Sequence, residues 1–420
     1  MSINSKRRRY ITGFLKALPL GVIGPILTAP RHVVAATSEV ELVWGGLGFS
    51  GSNADLDTRF PLMQQALIDI GGTHVVVKSL VESIESQGKS KVRDLLDTYD
   101  SDDGLLVYSV GIDFEQRISV SGSGGQNIRS HFNFVYATAL VLYIETNSSG
   151  GQDGGRLSVL YGYPFRSQSN MNIADDALRN QYANDILGNI MRTFKKEVAD
   201  KSFSEKSHPK GIKVASVEFS DDFNSGLDFV SIRDKFNSEF VANQFSTSLA
   251  EMGGLSVVPF RSNQLLGKTL AGRFKDSTKV FELASNMGGP DMLDYEINIR
   301  MHKLVRKVAG ENVGNVRIKR GISAFVSVSA ANNGQKIFEK KITQLSDVTL
   351  DRTSFANELS GFDLRYFIQM VIKMFDEFVT GVMTSDSNAL TSIGLDAKKD
   401  KEDLKNLKQV FDSCVYDSRK

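Results

Sequence analysis

Cysteine occurs once in the 420 residues, at Cys414, so no intrachain disulfide can form. The lone thiol reads either as an inert group in a tail helix or as a partner for a disulfide between chains. Charge of one sign is also missing. Fifty basic and 49 acidic side chains leave a net charge of +1, which excludes the basic surplus that nucleic-acid affinity draws on. Histidine is sparse. His32, His74, His131, His208 and His302 are scattered, with no pair at metal-ligand spacing, so no zinc site is expected. Beyond the first 36 residues no apolar run approaches the roughly 20 residues of a membrane-spanning helix.

The patterns of common catalytic sites are incomplete in the same way. Leu266-Gly267-Lys268-Thr269 has the end of a phosphate-binding loop, but Ser262 stands where the loop needs its first glycine, and without it the backbone cannot wrap the phosphates. The glycines at 122, 124 and 125 lie in a hairpin tip with no helix start after them, unlike a dinucleotide site. Asp97, Asp100, Asp102 and Asp103 precede Gly104, but Tyr99 and Val110 occupy the first and last ligand positions of a calcium loop. No serine sits in a strand–elbow–helix context. Catalytic residues, cofactor and metal are all expected to be none.

What is present is an ordinary globular balance, 41% hydrophobic and 24% charged, which places the chain outside the disordered class. The length suits two domains of about 165 residues each. Residues 1–36 read as an export signal. Lys6, Arg7, Arg8 and Arg9 form a positive start, an apolar stretch runs from Ile11 to Ala29, and Val34 and Ala36 fit a cleavage site before Thr37. Arg7-Arg8-Arg9-Tyr10-Ile11 fits a twin-arginine signal as well as a general secretory one. Either route implies a periplasmic protein with no transmembrane segment in the mature chain.

The remainder states one order of elements twice. Gly71-Gly72 ends an amphipathic run of Phe60, Leu62, Met63, Ala66, Leu67 and Ile70. Gly253-Gly254 ends another, of Phe236, Phe240, Val241, Phe245, Leu249 and Met252. Steps of three and four mark a helix face, and glycine is its expected stop. Asp103 and Asp291 each lead a strand, and Leu178 and Leu364 each open a helix, at nearly constant offset from the first pair. We therefore expect an α+β fold of two tandem, duplicated domains, 37–203 and 212–385, each a mostly antiparallel or mixed sheet packed with helices. Residues 386–420 follow as a polar loop and a charged helix.

In the first domain the pattern predicts strands at 40–44, 74–78, 105–110, 112–120, 131–145 and 156–165. Helices are expected up to Gly72 and over 80–99 and 174–199. In the second it predicts strands at 214–219 and 255–260, then a meander at 297–305, 318–329 and 336–343 turned at Asn332-Asn333-Gly334. Helices are expected at 236–252, 362–383 and 396–415. Two groups are candidate partner contacts as well as core: Tyr161, Tyr163 and Phe165 at a strand end, and Leu404, Leu407 and Phe411 along the last helix.

The opening of the second domain has a strand ending at Ser220-Asp221-Asp222, an amphipathic helix, Gly253-Gly254 and then Leu255-Ser256-Val257-Val258. This resembles the periplasmic α/β modules of the TolB amino-terminal and curli-channel subunit type. The lipid-bearing cysteine of curli-channel subunits and the propeller repeat of TolB are missing. The resemblance implies a non-enzymatic part of an envelope machine. The expectation is an assembly or scaffold protein that binds protein partners, or its own copies, through sheet edges, loops and the C-terminal helix. The alternatives are a small-ligand-binding protein using an interdomain cleft and an exported enzyme.

Overall fold

Long runs of alternating polar and apolar residues, one set in each half, become antiparallel meanders that organise the whole molecule. The computed structural model describes residues 42–49, 59–69, 93–94, 105–121, 129–145, 156–172, 176–199, 203, 209–233, 236–260, 293–352 and 359–416. They belong to one compact unit, Val40–Lys420, distinct from Met1–Glu39. The export signal, the expected strand at 74–78 and most of the expected helix at 80–99 lie outside the described residues.

The first sheet contains β1 (Leu42–Phe49), β2 (Arg93–Asp94), β3 (Leu105–Ser121), β4 (Arg129–Glu145) and β5 (Arg156–Asn172), in the order β2-β1-β3-β4-β5. β1 runs parallel to β2 and β3, and β3, β4 and β5 form an antiparallel meander. The second sheet contains β6 (Ile212–Phe219), β7 (Val257–Val258), β8 (Tyr295–Glu311), β9 (Asn315–Ala330) and β10 (Lys336–Asp351). Its order is β7-β6-β8-β9-β10, with the same parallel and antiparallel pairings. The register irregularities match too: Trp44/Gly46 with Val214/Ser216, and Ile112/Phe114 with Met301/Lys303. Both sheets are mixed, and with the helices they make the α+β fold. β2 corrects the reading of 80–99 as wholly helical, because Arg93 and Asp94 pair with Val43 and Trp44.

The helices are α1 (Pro61–Asp69), α2 (Asp176–Phe194) with a π-helical continuation (Lys195–Ala199), α3 (Asp221–Phe229), α4 (Ser238–Gly253), α5 (Leu359–Thr384), α6 (Ser387–Ser392) and α7 (Lys401–Cys414). Local chemistry sets their ends. Asn237 accepts from the Phe240 N–H at 2.8 Å, and Gly254, at φ 67°, closes α4 in the left-handed region. Ser220 caps α3 by accepting from the Phe223 N–H, and Asp221 and Asp222 face the positive end of its dipole. This acidic stretch is therefore a helix start. Asp386 likewise accepts from the Asn388 N–H at 2.8 Å and turns part of the expected polar loop into α6.

Two cores result. α1 and α2 cover one face of the first sheet, where Phe60, Met63 and Leu67 meet Ile186, Ile190, Phe194 and the strand residues Val110, Val135 and Val141. The second core holds the inner face of the second sheet with α3, α4, α5 and α7, and it also takes in Phe114, Phe134 and Tyr136 from the first sheet. α4 is consequently buried on every side over residues 239–250. A surface helix shows one apolar stripe; this one has a sheet on either side of it. Among the described residues, α4 lies between the two sheets.

The polar side of α4 meets the first sheet. Gln244 Oε1 accepts from Tyr136 OH at 2.9 Å and from Arg166 Nη1 at 2.8 Å. Ser248 donates to Asp376 of α5 at 2.6 Å, and Glu239 pairs with Arg59 at 2.6 Å. Under the second meander, buried Asp363 of α5 accepts from Arg320 Nε at 2.8 Å and pairs with Arg306, while the Arg320 guanidinium lies 4.4 Å from the Tyr366 ring centre.

Candidate partner interface

A sheet edge carries unpaired N–H and C=O groups and is a template for another strand unless it is closed. Among the described residues the two sheets have four such edges, and they are treated differently. β2 and β7 are two residues long. Beside β7, Leu255 bridges Val415 and the Ser256 N–H donates to Cys414 O at 2.9 Å, so the tail covers that side. β5 is long, and its middle from Gly162 to Arg166 is closed. Among its groups pointing away from β4, the Gly162 N–H donates to Ser256 Oγ at 3.0 Å, Pro164 has no N–H, and the Arg166 N–H reaches Glu251 at 3.4 Å. Proline on an edge strand removes the donor that a visiting strand would use.

β10 is the exception. The Thr343 N–H points away from β9 and donates to Ile393 O at 2.8 Å. Strand alternation points Leu345, Asp347 and Thr349 the same way. Among the described residues, the backbone N–H groups of these three have no partner on that side, and only the Leu345 carbonyl is used there, accepting from Gln344 at 3.2 Å. These open N–H groups lie between Leu345 and Thr349.

The outer face beside this edge is also unusual. Val305, Gly321 and Leu345 are cross-strand neighbours in one row. Val305 is 43% and Leu345 71% exposed, and a Cβ on Gly321 would lie 3.1 to 3.2 Å from both. Exposed cations flank the row: Lys303, Lys307, Lys319 and Lys341. Arg317 holds Asp347 through two bonds of 2.8 and 2.6 Å, and that pairing keeps the Asp347 carboxyl below the usual carboxylate range. Arg300 lies over the Phe325 ring at 4.8 Å, with His302 edge-on to it. Isolated apolar residues are normal on a surface; an apolar row ringed by cations beside an open edge suits association.

The six candidate contacts lie elsewhere. Tyr161 and Phe165 are 1% and 2% exposed and belong to the first core. Tyr161 packs against Phe203 and Tyr416, and half-buried Tyr163 stacks between Tyr161 and Phe165. Leu404, Leu407 and Phe411 are buried in the second core together with Phe338 and Phe378. Five of these six side chains are buried in the chain's own cores and Tyr163 is half-buried beside them, so they take part in its own packing. The tail also ties the halves together, through Tyr416 and through the Lys210 N–H to Ser413 O at 3.1 Å.

Burial pushes the Cys414 thiol up to about 12, away from reactive thiolate. Among the described residues no group of three His, Cys, Asp or Glu could hold a metal ion, and no helix is long and apolar enough to cross a membrane. The incomplete phosphate loop at 266–269, the glycines at 122–125 and the aspartates at 97–103 lie outside the described residues. The β10 edge has only a short signal in the sequence: Asp347 to Asp351 alternates polar and apolar residues as a strand does. In comparisons with known proteins, no family model matches the chain and no curated protein is significantly similar to it.

Proposed function

We propose that the chain is an exported, non-enzymatic assembly or scaffold protein of a bacterial envelope machine, acting in the periplasm by binding protein partners. The observation that carries this reading is the distal part of the second sheet, where an open β10 edge adjoins the exposed Val305–Leu345 row and its lysines. Backbone groups on an edge supply affinity, and the side chains beside it supply selectivity. The sequence start, with its arginine run and apolar stretch, supports export. The likeness to the TolB amino-terminal and curli-channel modules supports a place in the envelope. The matching strand orders and register irregularities support reading the halves as copies of one module.

The test is amine-reactive cross-linking of the mature protein in native envelope extract, followed by mass spectrometry. Links from Lys303, Lys307, Lys319 or Lys341 to one or a few envelope proteins are expected, and Leu345→Asp should weaken them severalfold. No envelope partner, or partners linked only through other surfaces, sinks the reading.

A further inference from the structure

We infer that the outer face of the second meander seats an acidic, extended segment of a partner protein, with an aliphatic side chain at its centre and carboxylates to either side. The inference rests on reading this face as the partner surface, and it names the chemistry of what docks there.

Charge is the first observation. Arg300, Phe325 and Lys341 form one cross-strand row on that face. Lys303 follows on β8, and Lys307 and Lys319 share a row beyond Val305, Gly321 and Leu345. All five cations are exposed. Among the described residues, Arg300, Lys303, Lys307 and Lys341 form no ion pair. Two acids interrupt the pattern. Asp347 is held by Arg317 and lies 3.9 Å from Lys319, and Glu218 is the cross-strand neighbour of Arg300. The surplus is local, because 50 basic side chains stand against 49 acidic ones over the whole chain. Unpaired charges of one sign on one face select a partner of the opposite sign. A second copy presenting the same face would set cation against cation.

Shape is the second observation. A Cβ on Gly321 would lie 3.1 Å from Val305 Cγ2 and 3.2 Å from Leu345 Cδ2, so both side chains lean over that glycine and make one apolar floor. A lysine stem is longer than valine or leucine, and its ammonium stays in water. The cations therefore stand above the floor as walls. A flat lipid leaflet laid on this face meets the ammonium groups before it meets the methyl groups. A narrow segment can lie between the walls and reach the floor. Lys303, Val305 and Lys307 alternate along β8, so they are spaced by about 7 Å, or two residues of extended chain. A segment with an aliphatic residue on the floor then places the residues two positions to either side beside cations.

The probe is a fluorescein-labelled peptide with a central leucine, glutamates two and four residues to either side, and serines between them. Fluorescence anisotropy with the mature protein should show saturable binding with a midpoint below about 0.1 mM in low salt. The double variant Lys303→Glu, Lys307→Glu should weaken it by about tenfold or more. Lys398→Glu with Lys405→Glu makes the same change of net charge at exposed sites elsewhere, and should leave binding nearly unchanged. Serine for the peptide's leucine should weaken binding severalfold, and lysines for its glutamates should abolish it. Carbodiimide coupling, which joins an amine to a carboxylate, should attach the peptide at Lys303, Lys307 or Lys341.

No saturable binding, equal weakening in the two double variants, or coupling only at other lysines overturns the proposal. So does recruitment by phosphatidylglycerol vesicles, lost in Lys303→Glu, Lys307→Glu, with no binding of the peptide; the face then belongs to lipid. Envelope proteins cross-linked to this face through segments without acidic residues would overturn the acidic segment and leave the scaffold reading standing. Peptide binding that meets every expectation, with no envelope partner in extract, would support the acidic seat and sink the scaffold reading.

Discussion

Gly162→Ala tests the seam between the halves at its closest approach. A Cβ added at Gly162 would lie 2.1 Å from the Val257 carbonyl oxygen and 3.0 Å from its carbon. Restoring ordinary van der Waals distance requires the two backbones to part by about 1 Å. Backbone atoms, unlike the tip of a flexible side chain, have no rotamer into which to retreat. Forced overpacking costs about 1–3 kcal/mol. Separation also lengthens the 3.0 Å bond from the Gly162 N–H to Ser256, worth roughly 1 kcal/mol. The expected loss is therefore about 2–4 kcal/mol. For a unit of about 380 residues the unfolding entropy near Tm is about 0.8 kcal/mol/K, so Tm should fall by about 3–5 °C. Differential scanning calorimetry reads this directly. Gly310→Ala is the control, because a Cβ there meets nothing within 4 Å. One transition is expected in both variants, since α4 is core to both sheets. Equal Tm values for Gly162→Ala and the parent protein, or equal losses in the two variants, would refute the close approach of β5 and Val257.

Asp363→Ala should destabilise by about 3–5 kcal/mol in urea titrations, because it strands the buried Arg320 guanidinium without its counter-charge; a loss under 1 kcal/mol would mean that Arg320 finds another partner. Cys414, with its thiol pushed up to about 12, should resist iodoacetamide at pH 8 until denaturant is added, and stoichiometric labelling of the native protein would contradict its burial. Burial raises the Asp376 carboxyl above its ordinary value. The folded state then binds a proton more readily than the unfolded one, so this group's penalty is relieved as pH falls through its raised folded-state pKa toward the ordinary carboxylate value. Asp376→Asn should flatten that part of the stability–pH curve, and superimposable curves would count against the assignment.

Much of the fold can be read from spacing alone. The Gly253-Gly254 helix stop, the meander of the second half and its Asn332-Asn333-Gly334 turn are local signals, and each lies where its pattern implies. The strand ends were harder. The meander strands continue to Glu311 and Asp351, because alternation weakens where charged residues take the outer face but pairing with β9 goes on. The seam was not legible. Asn243, Gln244, Thr247 and Ser248 look like the solvent side of an amphipathic helix. Their partners include Tyr136 and Arg166, about a hundred positions earlier, and no period within the helix encodes them. Tyr161 and Phe411 misled for a related reason. An aromatic that closes a core and one that anchors a partner have the same composition, and only long-range packing tells them apart.

The burial of α4 between two sheets bears on how the chain must be made. A ribosome delivers the first sheet well before residue 238, so Phe114, Phe134 and Tyr136 emerge without the helix that covers them. During that interval the nascent first half presents an aromatic face to chaperones or to other chains. Under the proposed export, secretion as an unfolded thread would postpone the difficulty to the far side of the membrane, whereas export in a folded state would require the second half to be complete first. A gene fragment ending after α2 would accordingly yield a sheet with one face bare, and the smallest stable piece of this protein should extend through α4 and the helix that supports it, α5.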